Sequence, residues 1–113
     1  MNFSEYQTES RKTAKYPQIG SNIIYPVLGL TGEAGEVADK VKKLIRDKNI
    51  DNPNEISIDD KEELKKELGD VLWYVTQIAT ELKLDLTEVA QANLDKLFSR
   101  MERDQIEGSG DNR

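Results

Sequence analysis

Two stretches, Leu30-Thr-Gly-Glu-Ala-Gly-Glu-Val-Ala-Asp-Lys-Val41 and Lys66-Glu-Leu-Gly-Asp-Val-Leu-Trp-Tyr-Val75, decide the reading of this chain. Each is small and apolar around one acidic step, Glu33-x-x-Glu36 in the first and Glu67-x-x-Asp70 in the second. Residues three apart on a helix share a face about one turn apart. Each step therefore points two carboxylates one way, at a cost of a few tenths of a kcal/mol in an isolated helix. Four ionised carboxylates in one site repel strongly at low dielectric. A divalent cation shared between two antiparallel helices offsets that cost.

Outward from these stretches, apolar residues continue at helical spacing. Ile24, Val27, Leu28, Ala34, Val37, Ala38, Val41, Leu44 and Ile45 predict a helix from Ser21 or Asn22 to about Lys48. Pro26 falls in its first turn, where a missing N–H costs least. Gly29, Gly32 and Gly35 each weaken a helix interior by about 1 kcal/mol. We read them as sites of close approach, the alternative being a break between Gly29 and Gly32. Asn49 to Ser57 is a loop. Asp59 with Glu62 forms a capping box that opens a third helix, with Leu64, Leu68, Val71, Val75, Ile78 and Leu82 as its seam. Val71 to Val75 is apolar nearly all round, which predicts packing on more than one side and hence a subunit interface.

Phe3 to Tyr16 reads as a first amphipathic helix, with Phe3, Tyr6, Thr13 and Ala14 on one face, ended by Pro17 and Gly20. At the other end, Asp85 with Glu88 opens a fourth helix to about Arg103, and Gly108 to Arg113 reads as a flexible tail. Asn93, Lys96 and Arg100 form one polar stripe on that helix, either a solvated face or a ligand contact. The expected architecture is an all-α four-helix bundle, assembled as an oligomer, with residues 1–106 as the domain and 107–113 as the tail.

Composition narrows the chemistry. The chain has 113 residues and neither cysteine nor histidine. Disulfides, thiolate zinc sites, cysteine nucleophiles, histidine bases and the Glu-x-x-His pairs of di-iron bundles are thereby excluded. A bound metal must be held by oxygen, which points to Mg²⁺, with Mn²⁺ as a possible substitute. The net charge of −6 argues against a nucleic-acid-binding surface. No apolar run reaches the ~18–20 residues of a membrane span, and no signal-peptide core is seen at the start. A cytoplasmic location is expected, without a nucleic-acid or membrane partner.

With the motifs in hand, Gly32-Glu-Ala-Gly-Glu-Val-Ala-Asp39 and Lys66-Glu-Leu-Gly-Asp-Val-Leu-Trp-Tyr74 resemble the MazG-like members of the all-α nucleotide pyrophosphohydrolases. Asn93-Leu-Asp-Lys96 with Arg100 is similar to that family's Asn-x-x-Lys stripe, and the ending Gly-Ser-Gly-Asp-Asn-Arg is similar to tails of its single-domain members. The resemblance implies Mg²⁺-dependent cleavage of a nucleoside triphosphate between the α and β phosphates, giving monophosphate and pyrophosphate. It implies a homodimer or homotetramer, with Glu33, Glu36, Glu67 and Asp70 as metal ligands. It also implies Glu36 or Glu67 in the handling of the attacking water. Asn93 and Lys96 then contact substrate; by position Lys40, Lys43, Lys96 and Arg100 are the cations available to neutralise phosphate charge, and Trp73 is a base-stacking or packing residue. The longer segment from Asn49 to Asp60, compared with compact members, leaves the base open. Alternatives are phosphoribosyl-ATP or dUTP/dCTP-type substrates, or a non-catalytic helical metal-binding interaction module.

Overall fold

The computed structural model describes residues 1–104 and 106–112, and among them it is all-α, with no strand. Four α-helices follow in order: α1 (Phe3–Arg11), α2 (Ile24–Lys48), α3 (Ile58–Glu81) and α4 (Leu86–Glu102). A short 3₁₀ turn, Pro53–Glu55, lies in the loop between α2 and α3.

The long pair α2 and α3 organises the molecule. Contacts across it fix an antiparallel register: Lys48 pairs with Asp60 at 2.6 Å, Lys40 with Glu67 at 3.6 Å, and Gly29 lies against the ring of Tyr74. α2 runs unbroken through all three glycines, so the two-helix alternative is set aside. Close approach holds at Gly29, where any Cβ would enter the Tyr74 ring. At Gly32 and Gly35 a Cβ meets nothing within 4 Å among the described residues, so neither provides close approach there. One glycine in three therefore explains how α3 comes against α2.

Helix ends depart from the sequence reading in three places, each for a local reason. α1 stops at Arg11, short of Tyr16, because the chain turns at Lys12 and Thr13 so that the Tyr16 hydroxyl can reach Glu81. α2 starts at Ile24, with Ile23 at the cap position and no side-chain bond from it. Asn22, one of the two caps the sequence offers, caps it, its Oδ1 accepting from the Tyr25 N–H at 3.1 Å. α3 is capped by Ser57, whose Oγ accepts from the Asp60 N–H at 3.1 Å, and not by Asp59. That cap leaves the Asp60 carboxylate free for Lys48. At α4, Asp85 caps as expected, accepting from the Thr87 N–H.

α1 crosses the far end of α3 and holds the start of α4. Gln7 donates from Nε2 to Thr80 and to the Leu84 carbonyl, and its Oε1 accepts from the Leu86 N–H at 2.8 Å. Beyond that anchor α4 leaves the rest of the molecule. It meets α1 and α3 but nowhere meets α2 among the described residues. The radius of gyration is 17.0 Å, against about 13 Å for a compact domain of this length. Large apolar side chains stay open along the exposed faces, among them Leu28 (65%), Leu68 (58%) and Met101 (60%). In the seam expected for α3, Leu68 and Leu82 are exposed, whereas Leu64, Val71, Val75 and Ile78 are half-buried.

Two of the three most enclosed large side chains are polar, the third being Pro26. Gln77 and Thr76 are fully buried, and Gln77 donates to Ser10 while accepting from Arg11. Beside them the Glu81 carboxylate accepts from Arg11 Nη2 (2.6 Å), Tyr16 Oη (2.8 Å), Gly20 N (2.9 Å) and Asn22 N (2.7 Å). These bonds fasten the whole segment between α1 and α2 to α3. They also set Tyr16 against Tyr25, with ring centroids 5.1 Å apart and nearly parallel.

Candidate active site

The antiparallel register brings Glu33 of α2 opposite Glu67 and Asp70 of α3. One carboxylate oxygen from each lies within 4.8 Å of the others. Glu33 and Glu67 are half-buried and Asp70 is exposed. Glu36, one turn along α2, is exposed and lies outside that group of three. Its charge is still felt at Glu33, whose carboxyl is raised above its ordinary value. Burial is the largest cause there, followed by the charges of Asp70, Glu67 and Glu36. The nearest cation is Lys40, whose Nζ stands 3.6 Å from Glu67 and 3.8 Å from Glu63.

Three hard oxygen donors within reach of one another, one of them raised by burial and then by its acidic neighbours, fit a divalent cation such as Mg²⁺ or Mn²⁺. A thiolate- or imidazole-preferring ion has no ligand here, since the chain lacks both side chains.

Around the acids stand neutral groups. Thr13, Trp73 and Tyr74 line a cleft of about 290 Å³ together with Glu33 and Asp70. Trp73 Nε1 donates to Thr13 Oγ1 at 2.8 Å, and its ring meets Tyr74 edge-on, with centroids 5.0 Å apart. The Tyr74 phenol is raised above its ordinary value by burial first, then by Tyr25 and Glu33. The Tyr6 phenol of α1 is raised by burial and then by Asp70. Both hydroxyls therefore remain protonated, as donors, beside the carboxylates. Neither they nor Thr13 were singled out as site residues from sequence. Thr13 in particular sits in a turn that reads locally as the end of a helix.

The α4 stripe is placed elsewhere. Asn93 is exposed, Lys96 is half-exposed and Arg100 is buried at 3% exposure, so the stripe is not simply a solvated face. Lys96 and Arg100 both reach Asp111, in the segment expected as a flexible tail. Because α4 nowhere meets α2 among the described residues, the stripe does not join Glu33 within one chain.

Residues 26–103 match the MazG nucleotide pyrophosphohydrolase domain, and the chain belongs to that family. It is 46% identical to the Gene 37 protein of Mycobacterium phage L5 over 118 aligned positions, which span the whole of both chains. No solved structure matches the chain.

Proposed function

We propose that this chain is a Mg²⁺-dependent nucleoside triphosphate pyrophosphohydrolase that cleaves (d)NTPs between the α and β phosphates, releasing monophosphate and pyrophosphate. The observation that carries the reading is the gathering of Glu33, Glu67 and Asp70 within 4.8 Å in a member of this family. These three residues would hold the cation, with Glu36 one turn along α2 as a further carboxylate. When bound, Mg²⁺ neutralises phosphate charge and polarises both a phosphate oxygen and a water. Glu36, outside the group of three and open to solvent, takes the proton of the attacking water. Glu67 keeps its orientation through Lys40. The water oxygen bonds to a phosphorus of the α–β bridge as the bridging P–O bond to it breaks, so that monophosphate and pyrophosphate separate. Trp73, Tyr74 and Thr13 form the wall against which base and sugar rest.

The phosphates need positive charge besides the cation. Lys40 is near, and Asn93, Lys96 and Arg100 are carried by the outstretched α4. The extended shape and the exposed Leu94, Phe98 and Met101 support a homodimer, or a homotetramer built from dimers, in which α4 of one copy serves the acids of its partner. Light scattering is expected to give at least twice the 12.8 kDa chain mass at micromolar concentration. A monodisperse monomer that still turns over nucleotide would remove the shared site.

The reaction is tested with a panel of normal and modified (d)NTPs, together with phosphoribosyl-ATP, in Mg²⁺, in Mn²⁺ and after EDTA. Turnover is expected with Mg²⁺, lost on chelation and restored by re-addition, with the preferred base identifying the substrate class. Turnover that persists in EDTA contradicts the proposed role of the acids.

A further inference from the structure

Arg100 is the most completely enclosed charged residue among the buried polar groups of α4, and what encloses it is unusual. Its Nη2 donates to the Asp111 carbonyl at 2.7 Å and the Gly110 carbonyl at 3.4 Å, and lies 3.3 Å from Asp111 Oδ1. The same Oδ1 accepts from Lys96 Nζ at 3.2 Å. Gly108 and Gly110 have φ of 116° and 85°, a backbone region that favours glycine, and they let the chain fold back onto α4. Arg100 Nε, meanwhile, is buried without a hydrogen-bond partner among the described residues.

We propose that residues 108–112 form an intrasteric strap, in which Asp111 stands on Lys96 and Arg100 in place of a phosphate oxygen and must be displaced by an incoming polyphosphate. The chemistry of the guanidinium favours this over a purely structural clasp. A phosphate approaching the fork edge-on engages two N–H donors at once. The strap engages Nη2 but leaves Nε unmet, and a buried donor without a partner is costly. The Asp111 side chain is itself 82% exposed, so its hold on the two cations is screened and weak. The strap is therefore a poorer partner for Arg100 than the ligand it imitates. It is also anchored through backbone carbonyls that a side-chain substitution does not remove.

The proposal rests on the phosphate-binding role given above to Lys96 and Arg100, but its test needs no turnover. Inorganic pyrophosphate is titrated calorimetrically into the full chain in EDTA, where the acidic cluster repels the anion. Asp111→Asn and Asp111→Ala are each expected to bind about two- to five-fold tighter than wild type, the size of a partly exposed ion pair. Asp95→Asn removes the same charge from an exposed acid on α4 and is expected to leave affinity unchanged. Adding Lys96→Ala to Asp111→Asn should abolish the gain. Equal or weaker binding by both Asp111 variants, an equal gain in Asp95→Asn, or no pyrophosphate binding by any of these proteins would each overturn the strap. A chain that shows the expected pattern yet hydrolyses no nucleotide would sink the enzymatic reading alone.

Discussion

Glu67→Gln is expected to lower pyrophosphohydrolase turnover by about 10²–10⁴-fold while leaving the helical content intact. Glutamine keeps the size of the side chain but removes one charge from the three carboxylates that meet across α2 and α3. It also loosens Lys40, whose Nζ is 3.6 Å from Glu67 and retains Glu63 at 3.8 Å. The structural cost is small, because a half-exposed ion pair contributes about 0–1 kcal/mol. Burial is the larger cause of the raised Glu33 carboxyl, but the Glu67 charge adds to it, and losing that charge offsets the cost. The metal-free variant should therefore melt at or slightly above the wild-type temperature. Added Mg²⁺ should stabilise the wild type but much less the variant. Circular dichroism, thermal shift with and without Mg²⁺, and steady-state turnover together check this. An active Glu67→Gln protein with an undiminished Mg²⁺ response would favour a helical interaction module over an enzyme.

The second large effect concerns stability. Glu81→Ala is expected to cost about 3–5 kcal/mol, a large part of the ~5–15 kcal/mol available to a domain. Its side chain is 2% exposed and accepts from Arg11, Tyr16 and two backbone N–H groups. Truncation takes the shared acceptor from all four donors and frees the segment that carries Thr13 to the acid cleft. Urea denaturation at fixed protein concentration reads the loss. A shift under 1 kcal/mol would show that the segment is held by something else.

The same residue sets an acid limb. Burial acts to raise the Glu81 carboxyl, but hydrogen bonds from Asn22, Arg11, Gly20 and Tyr16 outweigh it and bring the value down to about 2 from 4.5. A carboxyl held below its ordinary value stabilises the fold fully above about pH 4.5. That contribution is lost as pH falls towards 2. Glu33, raised by burial first and then by its acidic neighbours, acts in the opposite sense: its protonation removes a half-buried charge and relieves repulsion on the way down. Glu81→Gln should accordingly flatten the decline in stability between pH 4.5 and 2 relative to wild type.

How much of this was legible in the sequence depends on the range of the interaction involved. The amphipathic period of α2 and α3 and the acidic steps within them are local patterns, and they place Glu33 with Glu67 and Asp70 once the helices run antiparallel. Glycine spacing alone could not separate Gly29, which makes room for Tyr74, from Gly32 and Gly35, which meet nothing. Glu81 was invisible for a different reason. As one more acid near a helix end it resembles any solvated residue, and its partners lie 59 to 70 positions away. The early end of α1 follows from the same network, since Tyr16 leaves the helix to reach it. Arg100 was legible as part of a polar stripe, but its enclosure by Asp111 depends on a glycine-rich segment that carries no periodic signal.

The most direct measurement of the central claim is the identity of the products when the preferred nucleoside triphosphate is incubated with the protein and Mg²⁺, followed by phosphorus NMR. Monophosphate and pyrophosphate rising together in equal amounts, and neither forming with Glu67→Gln, is the predicted result. Diphosphate with orthophosphate, or equal product from the variant, would contradict cleavage at the α–β bond by these acids.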